Sequence, residues 1–426
     1  MMVRAVVAAV VVAIALSLHA SAIERGGRGS VDVPVNVSDT ATDSLSPVIA
    51  AADDTVHVAW IESEPTTDGL RATIWYARSV DSGATFEPGR PIAPLTGYAS
   101  GLQCATEGSR LHLAWLATSY TTGSPAAVDY QRSSDGGETF EPFVAVNGSE
   151  PPGAPIIVAS GANVGVVWHA EDRIRIARSA DGGSTFDAAA IGETDSSRAR
   201  TVRAAASTRG VLLAWLTPPR ATGAALGVGR VDWSSGDLLE SPSLESEAIS
   251  EVSTAANGEM AVVAWVTAGA DRAAKASLST DGGVSFAASL DLGSAAGIAA
   301  PRAAAGDRYS YVAWVDPRGR VRVSRLEIEA SPVDIRVRSN KRAVFPEIAV
   351  EGDGAVVAWR SGSGQSSRVR VCVIGPGDSA TVGTTIARPG RSAAAPRVAT
   401  VDSRSMVVWQ ELSGGAAEVF AARIPN

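Results

Sequence analysis

The stretch Val56-His57-Val58-Ala59-Trp60 returns as Leu111-His112-Leu113-Ala114-Trp115, Gly165-Val166-Val167-Trp168, Val211-Leu212-Leu213-Ala214-Trp215, Ala261-Val262-Val263-Ala264-Trp265, Tyr311-Val312-Ala313-Trp314, Val356-Val357-Ala358-Trp359 and Met406-Val407-Val408-Trp409. The eight tryptophans follow one another at intervals of 45 to 55 residues. Short β-branched runs of this kind read as buried strands. Their recurrence at a fixed period marks a repeat architecture, and roughly 50 residues is the length of one propeller blade.

Ahead of most of these runs lies a second short strand, often opened by proline, as in Pro47-Val48-Ile49-Ala50, Pro155-Ile156-Ile157-Val158, Pro301-Arg302-Ala303-Ala304, Pro346-Glu347-Ile348-Ala349 and Pro396-Arg397-Val398-Ala399. Proline at a strand's first residue removes no ladder hydrogen bond. A third strand follows the tryptophan run, for example Arg173-Ile174-Arg175-Ile176-Ala177-Arg178, and a fourth lies beyond a turn. Side chains alternate along a strand, so Trp60 and Val58 share one face while Ala59 and His57 share the other. Large opposite small lets neighbouring sheets approach without voids. The expected fold is all-β, a single propeller of about eight four-stranded blades, with seven left open by the weaker units. Tandem sandwiches need about 100 residues per domain, and a parallel β-helix needs much shorter coils.

The last unit runs out after its third strand, Glu418 to Ile424, whereas Val31 to Ser38 precedes the first complete unit and resembles a fourth strand. Pairing of residues 31–38 with residues 418–424 would close the ring and remove two exposed sheet edges.

Four units carry Ser-x-Asp-x-Gly-x-Thr/Ser-Phe between third and fourth strands: Ser79 to Phe86, Ser133 to Phe140, Ser179 to Phe186 and Ser279 to Phe286. Aspartate and serine side chains bond turn amides, and glycine takes the positive φ of a hairpin. At these residues the chain resembles the Asp-box, or bacterial neuraminidase repeat, propellers of the sialidase-like superfamily. The resemblance implies that Asp81, Asp135, Asp181 and Asp281 are structural turn residues. Blade four keeps only a degenerate Asp232-Trp233-Ser234-Ser235-Gly236-Asp237.

A sialidase of this superfamily would need three arginines gripping a carboxylate, a tyrosine nucleophile assisted by a glutamate, and an aspartate as general acid. The one Arg-Ile-Pro element, Arg423-Ile424-Pro425, stands in the last strand rather than near the start. Known sialidases have six blades. The favoured reading is a glycan- or protein-binding module without catalysis. A sialidase-like glycoside hydrolase and a structural or assembly protein are the alternatives. Ligands are expected on the face built by the loops after the tryptophan strands and the loops entering the Pro strands, with Glu62, His169, Glu171, Arg173, Asp316, Arg318, Arg360 and Glu411 as the binding candidates. His57 and His112, three residues before their tryptophans, read as core or interface residues. No metal site and no cofactor are implied.

The 426 residues are 45% hydrophobic and 19% charged, with net charge −8 and no basic run, which disfavours nucleic acid and anionic membrane surfaces. Arg4, the apolar stretch Ala5 to Leu18 and Ala20-Ser21-Ala22 have the layout of a cleaved secretion signal. Residues 1–22 are thus expected to be a signal peptide, 23–30 a short linker and 31–426 the propeller. The mature protein would be secreted, extracellular or periplasmic, without a membrane span, and monomeric. Cys104 and Cys372 fall three blades apart, too far for a disulfide, and both thiols are expected to be buried.

Overall fold

The computed structural model describes residues 31–425, apart from 68, 120–125, 149, 171–172, 191–200, 218–223, 243, 246, 297–300, 340–341, 389–390, 402–403 and 414. The signal-peptide and linker expectations lie outside the described residues. Eight four-stranded antiparallel sheets make up the molecule. Blade 1 consists of Asp43–Ala52, Thr55–Thr66, Gly69–Ser79 and Arg90–Pro94 from the innermost to the outermost strand. Blades 2 to 7 repeat this order. The inner strands neighbour one another in a closed ring, blade 8 against blade 1. The count is therefore eight and not seven.

Blade 8 pairs Ser392–Val401, Arg404–Ser413 and Ala416–Ile424 with the N-terminal Val35–Asn36 as its outermost strand. Val35 faces Ala421 and Asn36 faces Phe420. Val37 N donates to Val419 O at 2.8 Å, and Arg423 Nε reaches Asp32 Oδ2 at 2.7 Å. Arg423 of the Arg-Ile-Pro element is thus part of this closure.

Each tryptophan packs toward the preceding blade. Trp115 joins Ala59, Ile74 and Tyr76 of blade 1, and Trp265 joins Leu212 and Ala214 of blade 4. Trp60 of blade 1 packs on Val408 and Ala421 of blade 8. One such apolar cluster fills every gap between blades, so burial on both faces of each sheet, rather than one central core, holds the ring together.

The Ser-x-Asp turns lie on the rear face. In blade 2, Gly137 N donates to Ser133 Oγ at 2.8 Å, Ser133 Oγ donates to Asp135 Oδ1 at 2.7 Å, and Thr139 Oγ1 donates to Asp135 Oδ2 at 2.5 Å. The same network surrounds Asp81, Asp181 and Asp281. Hydrogen bonds from Thr139 hold the Asp135 carboxyl down to about 2. Arginines of one blade clasp the next turn: Arg78 donates to Gly136 O, and Arg132 donates to Gly182 O.

His57 and His112 are 2% and 0% exposed. Their Nδ1 atoms share hydrogen bonds with Tyr76 Oη at 2.7 Å and Tyr130 Oη at 2.8 Å. Burial first, then nearby arginines, lowers each imidazole to about 4, so both are neutral. The two cysteines are free. Cys372 is buried, but Cys104, on the inner strand of blade 2, is only half-buried, because inner strands have the channel on one side.

Candidate functional site

In every blade one inner-strand residue pairs with the residue just before the tryptophan. Around the ring these are Val48, Gln103, Ile156, Arg203, Ser253, Arg302, Glu347 and Arg397. Blades 4 to 8 thus bring three arginines and a glutamate to one level, near the front end of the channel. In blades 1, 2, 7 and 8 a β-bulge immediately precedes this residue. Each bulge contains a residue in the left-handed region: Ser46 at φ 53°, Gly101 at 61°, Phe345 at 52° and Ala395 at 50°. Bulges redirect the side chains that follow them. A left-handed residue other than glycine costs about 1–3 kcal/mol and persists where the surrounding structure enforces it.

Glu347 Oε1 accepts from Arg302 Nε at 3.2 Å and from Arg397 Nη1 at 3.1 Å, joining three consecutive inner strands. Arg203, on blade 4, feels the charges of Arg302, Glu251 and Glu347 although blades 4 and 7 are not neighbours, which places its guanidinium toward the axis. It makes no ion pair among the described residues, and its one side-chain hydrogen bond goes to the Val202 carbonyl at 3.0 Å. Burial and then the charge of Arg302 lower its pKa. The cluster carries three guanidinium groups, of which two share one carboxylate. Guanidinium forks match a carboxylate in charge and shape, so the channel mouth is suited to an anion.

The residues expected from the sequence to bind ligand do not converge. Glu62 is 4% exposed, and its carboxylate accepts from Thr40, Thr42, Ser44 and the Trp60 indole at 2.5–2.9 Å. Glu411 is fully buried and accepts from Trp409 Nε1 at 3.0 Å and Arg388 Nε at 2.9 Å. Both carboxylates cap the indole two residues earlier, so neither is open to a ligand. Asp316 and Arg318 meet in a cavity of about 340 Å³ between blades 5 and 6, with Trp314, Arg320 and Arg322. Asp316 is itself occupied by the Arg318 and Arg320 amides and the Arg320 guanidinium. Burial opposes these bonds, yet they hold its pKa below the ordinary value. His169 is half-buried and Arg173 exposed, both at the front of blade 3, and Glu171 lies outside the described residues. Arg360 stacks on Phe345, with Cζ 5.0 Å from the ring centroid. Phe345 is itself 50% exposed, two residues from Glu347.

Tyr76, Tyr130, Tyr309 and Tyr311 are buried and Tyr98 is exposed on the front face, while Tyr120 lies outside the described residues. No described tyrosine is seen bonded to the arginine cluster.

No family model matches the chain, and no curated protein matches it. Among solved structures it is similar to a Trypanosoma rangeli sialidase in complex with sialic acid, at 9% identity and TM-score 0.46, over 93% of this chain and 59% of that one. It is also similar to the phage phi92 endosialidase, at 9% identity and TM-score 0.47, over 93% of this chain and 69% of that one. A third is the β-propeller domain of the Trilobed protease from Pyrococcus furiosus, at 11% identity and TM-score 0.47, over 76% of this chain and 95% of that one. The chain spans less than two thirds of the T. rangeli protein's length. The eight-bladed architecture stands on the sheet topology itself.

Proposed function

We propose that this chain is an exported, Asp-box propeller of sialidase-like type that binds a carboxylate-bearing glycan or protein ligand at the front mouth of its channel, without turning it over. The observation that carries this reading is Arg203: a half-buried guanidinium beside a second arginine, with no ion pair among the described residues. An anion reaching all three arginines would give Arg203 the direct partner that the more distant charges of Glu251 and Glu347 do not supply, and such charge-assisted bonds are the strong ones. A glycan-array screen followed by calorimetry tests it. Acidic glycans or peptides should bind, and Arg203→Ala and Arg302→Ala should each weaken binding about tenfold or more, a loss of about 1.4 kcal/mol. Equal binding of neutral and acidic ligands would overturn it.

A sialidase-type hydrolase is the second reading, favoured by the same three arginines. The described tyrosines favour binding over hydrolysis, because Tyr76, Tyr130 and Tyr311 are packed between blades with their hydroxyls engaged. A fluorogenic sialoside assay separates the two: turnover abolished by Arg302→Ala would establish the hydrolase.

A further inference from the structure

Among the described residues four of the tryptophan indoles meet a carboxylate, and at three of them that carboxylate is fully supplied. Glu62 beside Trp60 takes three hydroxyls, Glu245 beside Trp265 pairs with Lys275 at 2.7 Å, and Glu411 beside Trp409 pairs with Arg388. The fourth is different. Asp129 stands opposite Trp115 in the register of blade 2 and is 6% exposed. Among the described residues the only donor directed at it is the Trp115 indole, and that contact falls short of hydrogen-bond geometry. No basic side chain among the described residues acts on it, and burial pushes its pKa up.

This carboxylate lines a cavity of about 200 Å³ on the front face, between blades 1 and 2. The walls include the rings of Tyr98 and Phe143, 45% and 38% exposed. Phe143 is held edge-on to Trp115 at 5.7 Å between centroids. A buried carboxylate without a counter-charge is costly, and aromatic faces attract cations. The volume lies below the range of about 300–1,000 Å³ that suits larger ligands. We propose that this cavity, separate from the channel mouth, binds a small organic ammonium ion, with Asp129 as counter-ion and Tyr98 and Phe143 as its aromatic walls. A neutral sugar would supply hydroxyl donors but would leave the charge uncompensated.

Ligand-observed NMR on the full folded chain tests this with three probes: choline, its neutral isostere 3,3-dimethylbutan-1-ol, and methyl glucoside. Choline should bind saturably, the isostere and the glucoside about tenfold more weakly or not at all. Asp129→Asn, which preserves shape, should abolish the choline signal with melting temperature little changed. Phe143→Ala should weaken it several-fold, and serves as the deciding variant if the Asp129 variant does not fold. Arg203→Ala should leave choline binding intact, which keeps this site distinct from the channel. Choline and its isostere binding alike, choline failing to bind, or binding unaffected by these two substitutions in the cavity would each overturn the proposal.

Discussion

The Tyr76 hydroxyl of blade 1 lies directly beneath Gly137 of the blade 2 turn, so close that a Cβ at Gly137 would stand 1.8 Å from Oη. The adjacent Gly136 has a similar left-handed backbone, φ 72° against 84°, but open space around it. Alanine at Gly136 should therefore cost only backbone strain, about 1–3 kcal/mol. Alanine at Gly137 should add a steric term of about 1–3 kcal/mol, since the tyrosine is wedged against Phe140 and bonded to His57. Chemical denaturation of the two variants measures the difference, and equal midpoints would show that the second glycine serves the turn alone.

Trp265→Ala should be among the most damaging substitutions. The ring is completely buried between blades 4 and 5, and its removal should cost about 3–5 kcal/mol. Asp281→Ala removes solvent-facing turn hydrogen bonds worth about 1 kcal/mol each. A reversed order of midpoints would mean that the rear turns, not the inter-blade clusters, carry the stability.

Mild acid should weaken the fold near blades 1 to 3. His57 and His112 ionise near 6.5 when unfolded but only near 4 in the native state, so the unfolded chain binds more protons between those values. Their contribution is complete above about pH 6.5 and is lost as pH falls toward 4, by up to about 3 kcal/mol per histidine. The Asp135 carboxyl, held near 2, would add its own loss only below its unfolded value. Melting temperatures from pH 7.5 to 4 should fall less steeply for His57→Gln and His112→Gln than for the parent, even if both start lower.

Glu347→Gln should make the fold sensitive to anions. The substitution leaves Arg302 and Arg397 without their shared carboxylate, both partly solvent-screened, at a cost of about 1–2 kcal/mol. Citrate should then raise the melting temperature of the variant more than that of the parent. Equal shifts would mean that Glu347 is not the internal counter-ion of the channel mouth.

The blade count, the closure and the tryptophan packing could be read from the sequence because a strand buried on both faces leaves a long apolar signature. The channel cluster could not be read in the same way. Arg203, Arg302, Glu347 and Arg397 each look like a single polar residue in a short strand, whereas Glu62 and Glu411, two residues past their tryptophans, read as accessible loop residues but lie within the tryptophan strands, buried under the indoles. A usable signal did exist: the inward position falls twelve residues ahead of the tryptophan in all eight blades. Proline and the bulge preceding it hide that regularity, since they break the alternation by which strand faces are ordinarily assigned.

The pairing of Val35 with Ala421 also sets an order of events during biosynthesis. At about 5–20 residues per second, the ribosome needs roughly 20–80 seconds to proceed from one partner to the other. For that interval blades 1 to 7 can accumulate one upon another, but the strand that latches the circle has nothing to bind. Topologies dominated by such distant pairings fold slowly, and here the delay is written into the translation clock itself. The latch forms only two paired rungs, Val35 and Asn36, flanked by the Val37 bond to Val419 and the Asp32 pair with Arg423, with Pro34 between Asp32 and the first rung. A strand that short, interrupted by Pro34 and carrying the charge of Asp32, is a poor template for aggregation, which suits a strand that must wait for its partner to be made.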